Sequence, residues 1–137
     1  MSHTVQTLAL THGAALAMLT AAADKATEIG QPQCIVIVDA SGEVLGSLRM
    51  TGAKFLSMRS ARTKARTAAS INNETTAIPE PMRAGLAAAT GGAVTALGGG
   101  LPIRMGGVLV GGIGVGSGTG EQDIEVGRAA LAAIGAD

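Results

Sequence analysis

The sequence predicts an α+β domain in which a mostly antiparallel sheet of four to five strands is flanked by helices. Three observations carry this. Two pairs of apolar runs, "QCIVIVD" with "EVLGSLRM" and "LPIRM" with "VLVGGIGV", are each joined by only two or three turn residues, too few for a parallel crossover. Helix-period segments precede, separate and follow the two pairs. The 137 residues suffice for one core without disulfide or metal staples, and no linker divides them, so residues 1–137 are read as a single domain.

In chain order, Thr11 caps a first helix running to about Ile29. Ala15, Leu19, Ala22, Ala26 and Ile29 recur at steps of four and three and define its buried face. Gly30 and Pro32 stop it. The first hairpin follows, with "ASG" at its turn. A second helix is expected over about Ala53 to Ser70, then a loop, "NNETTAIPEP". Pro81 opens a shorter helix through Ala89, and "TGGAVTALGGG" reads as flexible. Gly106-Gly107 suits a primed turn in the second hairpin, because both residues accept positive φ. Pro102 places its strand at a sheet edge or a strand start. Thr119 caps a closing helix to about Ile134, with Glu121, Asp123 and Glu125 near its positive end.

Composition removes several function classes. Ten basic and ten acidic residues cancel, and Phe55 is the one aromatic side chain; neither a global field nor stacking faces recruit nucleic acid. The N-terminal segment lacks a positively charged leader, and Thr11, His12 and Thr20 interrupt its apolar run. The expectation is therefore a cytoplasmic protein with no membrane partner. The single cysteine, Cys34, sits in an apolar run and reads as a buried small hydrophobe. Glycine and alanine dominate the composition and bury little area per residue, so a homo-oligomer is expected to supply further apolar burial.

Residues 106–123, "GGVLVGGIGVGSGTGEQD", carry eight glycines but fit no nucleotide motif. The nearest G-x-G-x-x-G register ends on Ser117 rather than glycine, and no Gly-Lys dipeptide exists for a phosphate-binding P-loop. What remains is a strand, a glycine turn and a helix start. Gly116, Ser117 and Gly118 there either hold an anion with backbone N–H groups and hydroxyls or simply turn the chain.

Charge is segregated. No acidic residue occurs between Val44 and Asn73, yet Arg49, Lys54, Arg59, Arg62, Lys64 and Arg66 all do. On the second helix, Arg59, Arg62 and Arg66 fall within an arc of about 60° at about 100° per residue, beside an apolar stripe of Met58, Ala61, Ala65 and Ala68. Lys64 points roughly the opposite way. The arginines are either a solvated face or a site for an anionic ligand, since guanidinium forks match carboxylates and phosphates. Two histidines, His3 and His12, cannot build a His-rich zinc site, and no C-x-x-C or H-E-x-x-H occurs, so no metal ligands are assigned. His12 is either a solvated first-turn residue or an axial ligand to haem iron.

The blocks "IVIVDASGEVLGSLRMTGA", "ARTKARTAA" and "GGGLPIRMGGVLVGGIGVGSGTGEQD" resemble the GlcG/HbpS family, the haem-degrading or haem-binding family that includes the C-terminal domain of PduO-type proteins. The resemblance spans about residues 11 to 134. It implies an α–β sandwich of profilin-like type, an oligomer between dimer and octamer, and a small-molecule ligand, with haem or a corrinoid as the implied cofactor. The family's K-A-R-T block maps onto Lys64 to Thr67 and its terminal E-Q-D onto Glu121 to Asp123. Two departures matter. The family's R-M-D-G-A is here Arg49-Met50-Thr51-Gly52-Ala53, which removes a carboxylate. Its G-V-S-G-G is here Gly114-Val115-Gly116-Ser117-Gly118.

Two functions fit these features. One is an oligomeric binding protein for an anionic ligand, haem or a related tetrapyrrole, with Arg49, Arg59, Arg62, Arg66 and the Gly116-Ser117-Gly118 turn as binding residues. The other is a small catabolic enzyme, an isomerase, lyase or hydrolase, acting on a carboxylate-bearing metabolite with Lys64 or Glu74 as acid or base.

Overall fold

The computed structural model describes residues 1–137. Its elements run α1 (His12–Glu28), β1 (Cys34–Asp39), β2 (Val44–Arg49), α2 (Ser57–Ile71), a 3₁₀ turn (Thr75–Ala77), α3 (Glu80–Ala89), β3 (Gly100–Met105), β4 (Val108–Gly116) and α4 (Gly120–Ala133). The four strands form one sheet in the order β2-β1-β4-β3, antiparallel at every pairing. The expected α+β fold is therefore the observed one. β3 is an edge strand, which explains why Pro102, lacking an N–H, is tolerated within it.

The local signals act as expected at most element ends. The Thr11 hydroxyl accepts from the Ala14 N–H, and Gly30 takes φ +72 after α1. Thr119 and Gln122 form a reciprocal capping box at the start of α4. Gly106 (φ +57) and Gly107 (φ +80) make the second hairpin turn. The first turn is held by Asp39, whose Oδ1 accepts from the Ser41 N–H, the Ser41 hydroxyl and the Glu43 N–H.

One boundary differs. α2 begins at Ser57, not near Ala53. The Ala53 N–H closes a turn onto the Met50 carbonyl, and the Lys54 N–H is drawn to the Ser117 hydroxyl 63 residues away. A long-range bond thus takes the backbone that local propensity assigned to the helix.

The sheet divides the core in two. On one face Ile35, Ile37, Ile113 and Val115 pack under α1 and α4. On the other, Cys34, Val36 and Val38 meet Ala61, Ala65 and Ala69 of α2. Alternate glycines of β4 let α2 lie directly on the strand. A Cβ at Gly114 would fall on the Ala61 carbonyl oxygen, one at Gly112 on that of Ala65, and one at Gly116 would come 3.0 Å from that of Ser57. Four helical residues rise about 6 Å and two strand residues about 6.7 Å, so the two ladders stay in step over three rungs. α3 buries none of its residues.

Candidate functional site

The segment "LGGG" turns into β3 where the sheet ends, and at that end the two helical layers meet. Gly99 has φ +117, and a Cβ there would lie 2.6 Å from the Val115 carbonyl oxygen and 2.7 Å from Asp123 Cβ. Without a side chain at 99, Lys64 reaches from α2 past the sheet end to the first turn of α4. Its Nζ donates to the Val115 carbonyl at 2.8 Å and to Asp123 Oδ2 at 3.0 Å. Asp123 Oδ1 in turn accepts from the Gly118 N–H at 3.1 Å. Both charged side chains are buried, 6% and 3% exposed.

Above this pair lies a cavity of about 250 Å³ whose lining includes Lys54, Ser57, Ser60, Lys64, Ser117 and Asp123, with Leu97 as its one apolar residue. Ser57, Ser60 and Lys64 are spaced i, i+3, i+7, a single face of α2. The α4 N-terminus opens onto the same space through Gly118 and Gly120, where the first helical N–H groups lack intrahelical acceptors. Two ammonium groups and one carboxylate leave the cavity net positive.

Ser117 adopts φ +97, a region that side chains rarely occupy. It is held there from both sides: its hydroxyl accepts from the Lys54 N–H at 2.9 Å and its carbonyl from Gln31 Nε2 at 3.2 Å. Such a conformation persists only where surrounding bonds over-determine it. Cys34 lies beneath, donating to the Lys54 carbonyl at 3.5 Å. Burial pushes its thiol pKa up, against smaller downward pulls from Arg49 and the Ser117 hydrogen bond. Gln33 is fully buried, and neither atom of its side-chain amide has a partner.

The residues singled out in the sequence fall into separate places. Ser117, Gly118 and Lys64 come together at the cavity, and Gly116 closes on Ser57 and Ser60 beside it. Arg59 and Arg62 are exposed on the outer side of α2. Arg66 lies over the β1–β2 turn, beside a cavity of about 300 Å³ that includes Ser41, Thr67 and Ser70. Arg49 borders an open cavity of about 570 Å³ with Gln31, Pro32 and Met50. None of these four arginines takes part in an ion pair. Glu74 does not line Lys64's cavity and binds Arg128 at 2.8 Å. Sequence reasoning missed the role of Asp123, read as one of three charges complementing the helix dipole; it alone of the three is buried. Ser57, Ser60, Gln33 and Gly99 were also missed. Their one signal is the i, i+3, i+7 run of Ser57, Ser60 and Lys64.

A four-stranded antiparallel sheet between helical layers, with a polar cavity at its end, defines a small α+β domain. The chain matches the family described as "Haem degrading protein HbpS-like" over residues 10–132 and belongs to it. Its structure is similar to that of Klebsiella pneumoniae protein ORFY, with TM-score 0.93 and 31% identity, covering 98% of this chain and 97% of that one. It is also similar to the crystal structure of the PduOC:heme complex, with TM-score 0.88 and 30% identity over 95% and 98% of the two chains. In sequence it is 33% identical over 119 residues to the corrinoid adenosyltransferase PduO of Salmonella typhimurium, covering 83% of this chain. The chain spans about a third of the length of that relative, 35%.

Haem, which the family implies, can be tested against the donor groups present. His12 is exposed at the start of α1, on the sheet face opposite α2 and its arginines. The Arg49 cavity lies near the other end of α1, beside Thr27 and Gly30, a separation of about 25 Å along a helix of 17 residues. One chain therefore does not assemble an imidazole and an arginine clamp around one haem. No helix of the chain is long and apolar enough to cross a membrane.

Proposed function

We propose that the chain is an oligomeric binding domain for an anionic ligand of tetrapyrrole type, held on its surface and shared between copies. The observation that carries this is the row of Arg59, Arg62 and Arg66 on α2, cationic and without a carboxylate partner. Guanidinium groups left free in this way match propionate carboxylates. The similarity to a chain solved as a heme complex supports the ligand class. Because His12 and the arginine row lie on opposite faces of the sheet, a ligand that uses both takes the imidazole from one copy and the arginines from another. Exposed apolar side chains, Phe55, Leu56, Leu97 and Leu16, each more than 60% accessible, support such self-association.

The test is titration of the purified chain with hemin, read by the Soret band and by mass from light scattering. A saturable shift is expected, at less than one haem per chain. It weakens about tenfold in Arg59→Ala/Arg62→Ala, the loss of charge-assisted hydrogen bonds. Absence of a saturable shift overturns the proposal.

A further inference from the structure

The cavity at the end of the sheet is unsuited to a tetrapyrrole and has its own chemistry. At roughly 30 Å³ per water molecule, its volume of about 250 Å³ accommodates about eight waters. That admits a short organic acid together with a few waters and is too small for a tetrapyrrole.

We propose that this cavity is a binding site for a short organic monocarboxylate of about two to four carbons. Four features of the chain argue for it. Lys64 has three N–H donors and spends two of them on Val115 and Asp123; the third is unassigned in a side chain that lines the cavity. Lys54 supplies a second, exposed ammonium at the mouth, in no ion pair. Ser57, Ser60 and Ser117 add hydroxyls on the remaining walls.

The fourth feature is Gln33. A buried primary amide without partners is costly, and native proteins rarely leave one. The Gln33 Nε2 ends 2.8 Å from the position a Cβ on Gly118 would take, and Asp123 Oδ1 and Gln122 Oε1 each end 2.9 Å from it. Gly118 lines the cavity, so a buried amide donor without an acceptor lies directly behind that wall.

The charge count selects the ligand. Lys54 and Lys64 against Asp123 leave one net positive charge, which a monoanion neutralises. A monocarboxylate can turn its uncharged end towards Asp123, which lines the same cavity, whereas phosphate carries charge on every side and meets that carboxylate in any orientation. The site is also distinct from the arginine row. At about 100° per residue, Ser57, Ser60 and Lys64 lie roughly opposite Arg59, Arg62 and Arg66 around α2.

The experiment is titration of the full ¹⁵N-labelled chain with pyruvate, its uncharged isostere pyruvamide, and inorganic phosphate. Pyruvate is expected to give saturable shifts centred on the amides of Gly98, Gly118 and Gly120. Pyruvamide is expected to give none, and phosphate to bind about tenfold more weakly. Lys54→Ala changes an exposed side chain and weakens pyruvate binding about fivefold. Ser60→Met fills the cavity and abolishes it, while circular dichroism reports an unchanged fold. Hemin titration of Ser60→Met retains the wild-type response, so this proposal and that of the preceding section fail separately. Equal shifts with pyruvate and pyruvamide, equal affinity for phosphate, or no pyruvate response up to about 20 mM overturns the monocarboxylate site.

Discussion

The ammonium of Lys64 and the carboxylate of Asp123 meet at 3.0 Å between two helices that lie on opposite faces of the sheet. Nothing else so buried and charged joins those layers. The pair is satisfied on both sides, by the Val115 carbonyl and the Gly118 N–H, which is the condition under which a buried ion pair is tolerated. Removing one partner leaves the other buried and uncompensated.

Lys64→Met and Asp123→Asn are therefore each expected to lower unfolding stability by about 3–5 kcal/mol. The double variant is expected to lose less than the sum, because it leaves no isolated charge. Urea denaturation of the four proteins measures this. Strict additivity would show that the pair contributes no coupling.

The glycine ladder makes a second prediction with an internal control. Gly114→Ala puts a methyl group on the Ala61 carbonyl, and α2 must lift from the sheet. A loss of at least about 3 kcal/mol is expected, at or beyond the upper range of overpacking. Gly85, inside α3, has nothing within 4 Å of its added Cβ and no positive φ. Gly85→Ala is expected to stabilise by about 0.5–1 kcal/mol through helix propensity. Thermal melts of the two variants should move in opposite directions.

Acid sensitivity is predicted at the first hairpin. The hydrogen bond from the Ser41 hydroxyl holds the Asp39 carboxyl below its usual value of 3.8; burial pulls it up by less, and backbone N–H groups of the same turn add smaller downward pulls. A folded-state pKa below the unfolded one means that this contribution is complete above the unfolded value. It is lost as pH falls through 3.8 towards the folded value. Asp39→Asn keeps an acceptor in the turn but removes the ionisation. Its stability is expected to depend less on pH across that window, as read by urea midpoints on either side of pH 3.8.

Much of the fold was legible along the chain because its signals are local. Thr11 and Thr119 cap helices with their own hydroxyls, Gly106-Gly107 dictates a hairpin, and short turns force antiparallel neighbours. The segregation of arginines onto one side of α2 was legible for the same reason, since helical spacing alone sets the face. The start of α2 was not, because the bond that delays it comes from Ser117, distant in sequence. Nor was the reason for glycine at 112, 114 and 116. Alternation marks a strand, but only the helix seated on it shows that a side chain would strike a backbone oxygen.

The candidate site divides along the same line. The sequence by itself determined that the chain concentrates positive charge between Arg49 and Arg66 and places a glycine turn before α4. Tertiary structure alone decided that Lys64 turns inward, that Asp123 is its partner 59 residues on, and that Gln33 is buried behind Gly118. Caps and turns are governed by atoms within a few residues, so they can be read along the chain. A buried charge is governed by whatever groups replace its water, and those come from β4 and α4, which only folding brings to α2.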